Sequence, residues 1–251
     1  MTTPYNLEQI ATYKIGNYKN KPTIIFLHDS LGCIELWRDF PEKLSNLTKC
    51  NAIVYDRQGY GKSLPFTKDR DVNYLELEAD ILMQLISLWG VEKPILFGHS
   101  DGGSIALIAA AKYPNKIKAI ITEGAHIFVE DITLNGINNA IELYKTTNLK
   151  SKLKKYHGTK TDTMFWAWAK TWTTKKFKNW NIEHFLQHIE CKSLVIQGED
   201  DEYGTLKQVY NTIKATKTPG KKLILPNIKH TPHKENPNLI LKETAAFIAT
   251  I

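Results

Sequence analysis

The 251-residue sequence predicts an α/β fold, a mostly parallel sheet covered by helices on both faces and interrupted by one helical insertion. Three observations carry this. Short apolar runs of strand length alternate with helix-length amphipathic segments. The alternation lapses once, across residues 126–190. A Gly-x-Ser-x-Gly turn, Gly98-His99-Ser100-Asp101-Gly102, lies between a strand-like and a helix-like run. At 42% hydrophobic content, and with no repeat or low-complexity linker, the chain is long enough for one full core.

Residues 23–27 (TIIFL) read as the first strand, 34–48 as a helix and 52–55 (AIVY) as the second strand. Continuous apolar runs of this kind suit parallel strands buried on both faces. Over 72–89, Leu75, Ala79, Leu82, Leu85 and Ile86 recur at helical spacing and form an apolar stripe. Residues 95–97 form a strand that enters the serine turn, and the alanine-rich run 103–113 is a helix halted at Pro114. Residues 117–122 give the next strand. After the insertion, 193–197 (SLVIQ) and 222–225 (KLIL) continue the sheet, with helices over 206–215 and 238–248. The expected organisation is a core of residues 1–125 and 191–251 with an insertion over 126–190.

The formal net charge is +7, and the insertion accounts for it. Lys150, Lys152, Lys154, Lys155, Lys160, Lys170, Lys175, Lys176 and Lys178 are opposed within residues 150–178 by Asp162 alone. Beside them stand Trp166, Trp168, Trp172 and Trp180, four of the six tryptophans. These rings fit an aromatic roof over an apolar pocket, with Trp166, Trp168 and Trp172 as lining, and they also fit the insertion's own core. The lysines fit a solvated face or a docking surface for an acidic partner. Nucleic-acid binding is not expected, because no nucleic-acid fold motif accompanies the charge.

Cys33, Cys50 and Cys191 are odd in number and lack C-x-x-C spacing, so neither a disulfide framework nor a zinc site is indicated. No His-Glu-x-x-His pattern or phosphate loop occurs, and no metal or cofactor is expected. The first six residues lack a charged segment followed by an apolar one, and no apolar run nears the roughly 20 residues that span a bilayer. A cytoplasmic protein is expected.

The glycines flanking Ser100 permit a turn too tight for neighbouring Cβ atoms, which nominates Ser100 as a nucleophile. A hydroxyl needs a base, and the base needs a partner that holds its tautomer. His230 follows the strand-like run 222–225, and the acids Glu199, Asp200 and Asp201 follow the run 193–197. This chain order of Ser, Asp, His, together with His28-Asp29-Ser30-Leu31-Gly32, the segment Asp56-Arg57-Gln58-Gly59-Tyr60-Gly61-Lys62-Ser63 and Gly198-Glu199-Asp200-Asp201, resembles the α/β-hydrolase superfamily nearly end to end.

The resemblance implies the α/β-hydrolase fold and makes the insertion a cap, or lid. It implies Ser100 as nucleophile, His230 as base and Asp201 as its partner. Asp200 and Glu123 stand as alternative acids. Backbone N–H groups of Ser30 and Asp101 would form the oxyanion hole. His28 is a pocket candidate that more readily secures the oxyanion loop, and Asp29, where the family has glycine, reads as a turn aspartate. The expected reaction is ester cleavage through an acyl-enzyme on a small to medium acyl chain. Resemblance to pimeloyl acyl-carrier-protein methyl ester esterases extends this to a carrier-bound ester, with Lys150, Lys152, Lys154, Lys155, Lys175, Lys176 and Lys178 docking an acidic carrier. The rival readings are carbon–carbon bond hydrolysis of the ring-cleavage type and a ligand-binding receptor that retains the triad. For amide or iminopeptidase action, the sequence shows no cluster of acids to hold a substrate amine.

Overall fold

The computed structural model describes residues 6–251, so the first five residues, on which the expectation of no targeting segment partly rests, lie outside the described residues. The sheet is built from β1 (Thr12–Ile15), β2 (Thr23–Leu27), β3 (Asn51–Tyr55), β4 (Ile95–His99), β5 (Ala119–Glu123), β6 (Lys192–Gly198) and β7 (Lys221–Leu225). Their order across the sheet is β1-β3-β2-β4-β5-β6-β7. Only β1 is antiparallel, pairing with β3; every other pair is parallel. The chain steps outward from β2 to β3 and, from β4 onward, in the opposite direction. The carboxyl ends of β2 and β4 therefore flank the switch point at which open parallel sheets bind ligands.

The helices are α1 (Phe40–Thr48), α2 (Tyr74–Leu88), α3 (Asp101–Lys112), α4 (Asp131–Thr146), α5 (Leu149–His157), α6 (Thr161–Thr173), α7 (Glu183–Leu186), α8 (Lys207–Ala215), α9 (Pro232–Glu235) and α10 (Pro237–Ile248). Successive strand residues point to opposite faces, and both faces are covered. Ile25, Leu27, Leu96 and Ile120 pack with Leu82 and Leu85 of α2 and Ile105 and Ile108 of α3. Ile24, Phe26, Phe97 and Ile121 pack instead with Phe40 and Leu44 of α1 and Ile240 and Phe247 of α10.

Two departures from the sequence reading have local causes. Strand β1 has no buried residue and pairs on one side only, so it carries no apolar run to mark it. The expected helix over 34–48 is broken into a 3-10 turn, Ile34–Trp37, and α1, because Arg38 turns left-handed at φ 54° and Pro41 opens the new helix. Helices α4 to α7 all lie between β5 and β6. Part of their aromatic content is internal packing: Phe165 stacks on Tyr144 at 3.7 Å between ring centroids, and Phe177 on Trp180 at 5.4 Å. Among the described residues, no helix is long and apolar enough to cross a membrane.

Candidate active site

Strand β4 ends at His99, helix α3 begins at Asp101, and Ser100 makes the turn between them with φ 54° and ψ −118°. The flanking glycines are required by contact. A Cβ on Gly102 would overlap the Leu27 carbonyl, and one on Gly98 would overlap the Gly102 carbonyl. The Ser100 N–H donates to the Glu123 carbonyl at 2.8 Å, which pins the turn to β5. Its hydroxyl lacks a hydrogen-bond partner among the described residues, and Ser100 lines a cavity of about 220 Å³.

His230, after β7, lines the same cavity. Its Nδ1–H donates to Asp201, with both carboxylate oxygens at 2.9 Å. This fixes the tautomer and leaves Nε2 as the basic nitrogen. Asp201 is held in turn by the Tyr203 N–H at 2.8 Å. Burial opposes a charged imidazole, but the Asp201 carboxylate outweighs it and raises the His230 pKa. Burial also opposes the Asp201 charge, and His230 outweighs that, holding the carboxyl below the usual range. The alternative acids lie elsewhere. Asp200 and Glu199 are exposed, and Glu123 is buried against His233 Nδ1 at 2.6 Å.

Ser30 and Asp101 both line the cavity, and neither backbone N–H has an acceptor among the described residues. The main chain beside Ser30 is tied from below: the Asp29 carbonyl accepts His28 Nδ1–H at 2.7 Å and Arg57 Nη2–H at 2.9 Å. His28 Nε2 accepts the Arg57 N–H at 3.0 Å. His28 thus secures the loop and does not line the cavity, which corrects its assignment as a pocket residue. Asp29 Oδ1 accepts the Leu31 N–H at 3.0 Å, the turn role expected of it, and Oδ2 lies 3.3 Å from His99 Nδ1. His99 Nε2–H donates to the His230 carbonyl at 2.8 Å, linking the two loops.

Asp101 forms a buried ion pair with Arg57 at 3.3 Å and accepts from the Tyr74 hydroxyl at 3.0 Å. Tyr74 accepts the Trp172 indole N–H at 2.8 Å, so the insertion reaches the residue after the nucleophile through one side chain. Trp168 and Trp172 line the cavity. Trp166 does not: it packs on Phe165 and lines a separate outer groove with Lys170 and Arg70, because it projects from the opposite side of α6. Lys150, Lys176 and Lys178 are ion-paired with Asp162, Asp71 and Asp131. Lys152, Lys154, Lys155 and Lys175 are exposed and without an ion pair among the described residues. Burial pushes the Cys33 thiol up to about 12, which leaves it unreactive.

Leu31 and Thr231 also line the cavity, and His126, Thr133, Ile137, Glu202 and Tyr203, which the sequence does not single out, complete it. Asp29, Asp101 and Glu202 gather around the cavity, whose lining holds no Lys or Arg. They are distant in sequence and meet only through the fold, Asp101 being paired with Arg57 and Glu202 exposed. Among the described residues, no group of three or more His, Cys, Asp or Glu side chains converges as a metal site.

Residues 22–147 match the family model described as alpha/beta hydrolase fold. The chain is 31% identical over 189 residues to the serine hydrolase BPHL of Homo sapiens, covering 71% of this chain and 62% of that protein. It therefore spans less than two thirds of that relative's length. It is 27% identical over 253 residues to the pimeloyl-[acyl-carrier protein] methyl ester esterase of Wigglesworthia glossinidia brevipalpis, covering 90% and 93% of the two chains. The solved 2-hydroxy-6-oxo-6-phenylhexa-2,4-dienoate hydrolase from Rhodococcus sp. strain RHA1 superposes with a TM-score of 0.81 at 14% identity, over 96% of this chain and 95% of that one, a likeness of fold.

Proposed function

The chain belongs to the α/β-hydrolase family, and on that premise we propose that it is a serine hydrolase cleaving carboxylic esters through an acyl-enzyme. One observation carries the reading. An uncommitted seryl hydroxyl, a carboxylate-paired histidine and two main-chain N–H groups without acceptors converge on one cavity. Ser100 Oγ attacks the ester carbonyl carbon while His230 Nε2 takes its proton, and Asp201 stabilises the imidazolium that results. The Ser30 and Asp101 N–H groups donate hydrogen bonds to the carbonyl oxygen as negative charge develops on it. Collapse of the tetrahedral adduct breaks the carbon–oxygen bond, and His230 returns the proton to the departing alcohol. Water, deprotonated by the same histidine, then releases the acid and restores Ser100.

The helices of residues 126–190 act as a lid, a reading supported by their contribution of Thr133, Ile137, Trp168 and Trp172 to the cavity lining. About 220 Å³ suits a small to medium acyl chain. Lys152, Lys154, Lys155 and Lys175 favour an acidic carrier as the vehicle of the ester, a reading helped by the pimeloyl-[acyl-carrier protein] esterase relative. The test is the initial rate on p-nitrophenyl esters of increasing acyl length, wild type beside Ser100→Ala. A short-chain optimum that Ser100→Ala abolishes supports the reading. Turnover independent of Ser100 overturns it, and no turnover on any ester moves the assignment to carbon–carbon bond hydrolysis or a receptor.

A further inference from the structure

The loop that carries Ser30 is tied to the core from below, but its next residue is tied from above, by the insertion. His157, the last residue of α5, is 2% exposed and bridges two core segments. Its Nε2 lies 3.0 Å from the Leu31 carbonyl, and its Nδ1 lies 3.0 Å from the Gly61 N–H. A carbonyl can only accept and an N–H can only donate, so one protonation state satisfies both contacts: the neutral ring with its proton on Nε2. Burial drives the ring in that direction, holding its pKa below the ordinary value against the opposing pull of the Leu31 carbonyl, Asp56 and Asp29.

The neighbouring contacts brace the same joint. Lys160 donates to the Gly61 and Ser63 carbonyls, each at 2.7 Å. Asp56 accepts the Lys62 N–H and the Ile34 N–H, each at 2.7 Å, so the 56–63 turn is also fastened to the far end of the oxyanion loop. Leu31 is held at its N–H by Asp29 and at its carbonyl by His157. Beside it, the Ser30 N–H remains without an acceptor and borders the cavity.

We propose that His157, supplied by the insertion, is a positioning residue for the oxyanion-forming loop: by clamping Leu31 to the 56–63 turn it joins His28 and Arg57, which hold the Asp29 carbonyl of the same peptide, in fixing the direction of the Ser30 N–H. This rests on the reading of Ser30 as an oxyanion donor. The insertion then does more than roof the substrate, because one of the two donors takes part of its aim from a side chain of the lid. An oxyanion donor works only within about 2.7–3.1 Å of the developing charge, and loss of one costs about 10²–10³ in rate. A loosened donor should cost a fraction of that, and it should appear in kcat and not in KM.

The test compares wild type, His157→Ala, His157→Gln and Ser100→Ala as full chains. Three quantities are read: kcat and KM on p-nitrophenyl butyrate, the rate of Ser100 phosphonylation by a fluorophosphonate, and the melting temperature. The expected result is a kcat loss of about tenfold or more in His157→Ala with KM within about twofold, and a matching fall in phosphonylation. His157→Gln, which offers one N–H and one carbonyl oxygen, should recover most of both. Wild-type kcat and phosphonylation in His157→Ala would overturn the proposal, as would a His157→Gln that folds like wild type yet is as slow as His157→Ala. Should His157→Ala fail to fold, the Gln variant is paired with His157→Phe, which lacks both polar groups. Unchanged turnover in Ser100→Ala would remove the serine-hydrolase reading itself, and is distinguishable because it leaves His157 out of the comparison.

Discussion

Replacing Asp201 by Asn removes one charge and keeps the shape of the site. In the native site both Asp201 oxygens lie 2.9 Å from His230 Nδ1, and both groups are largely shielded from water. With the imidazolium and carboxylate charges about 4 Å apart and an effective dielectric of about 20, Coulomb's law gives about 4 kcal/mol. That is about a thousandfold in rate, since 1.36 kcal/mol is tenfold. Asparagine can also present its N–H₂ group to Nδ1 and trap the wrong tautomer, which adds to the loss. The assay is p-nitrophenyl ester hydrolysis between pH 5 and 9, with Asp200→Asn and Glu123→Gln alongside. Asp201 raises the His230 pKa, so wild-type activity should climb with pH to a midpoint above the ordinary histidine value, and the residual activity of Asp201→Asn should have a lower midpoint. A variant retaining more than about a tenth of wild-type kcat, or an Asp200→Asn that falls further, would refute the reasoning.

Other consequences follow from neighbouring groups. Burial pushes the Glu123 carboxyl up to about 7, so its protonated form favours the fold and that contribution is lost as pH rises from about 4.5 through 7. The melting temperature of Glu123→Gln relative to wild type should therefore increase from pH 5 to pH 8, and a constant difference would contradict it. Arg57→Met leaves the buried Asp101 without its cation and should lower unfolding free energy by about 3–5 kcal/mol in urea titration. Reversing Lys152, Lys154 and Lys155 to Glu should slow cleavage of a carrier-bound ester while leaving p-nitrophenyl butyrate unchanged; equal effects would remove the docking role.

The fold was legible because its signals are local. Strands β2, β4 and β6 are buried on both faces and so read as apolar runs, and the serine turn depends on Gly98 and Gly102 at fixed spacing. The residues with a motif of their own lie in the loops after β4, β6 and β7: Ser100 and His230 line one cavity, and Asp201 joins them through its pair with His230. What escaped depends on contacts between distant segments. Glu202, from the loop after β6, and Thr133, from α4, meet at the cavity, His157 serves Leu31 across 126 residues, and Trp166 and Trp168 separate only because two positions on a helix point about 200° apart. Strand β1 was invisible for the opposite reason, being held by backbone pairing with no buried side chain.

The central claim is a covalent acyl-enzyme at Ser100. It is tested most directly by acid-quenching the protein within its first turnovers on a short-chain p-nitrophenyl ester and measuring intact mass, then mapping the adduct by peptide. The account predicts a mass increase equal to the acyl group less one hydrogen, located on the peptide that contains Ser100 and absent from Ser100→Ala. Undiminished ester hydrolysis by Ser100→Ala, or an adduct that maps to another residue, would contradict it.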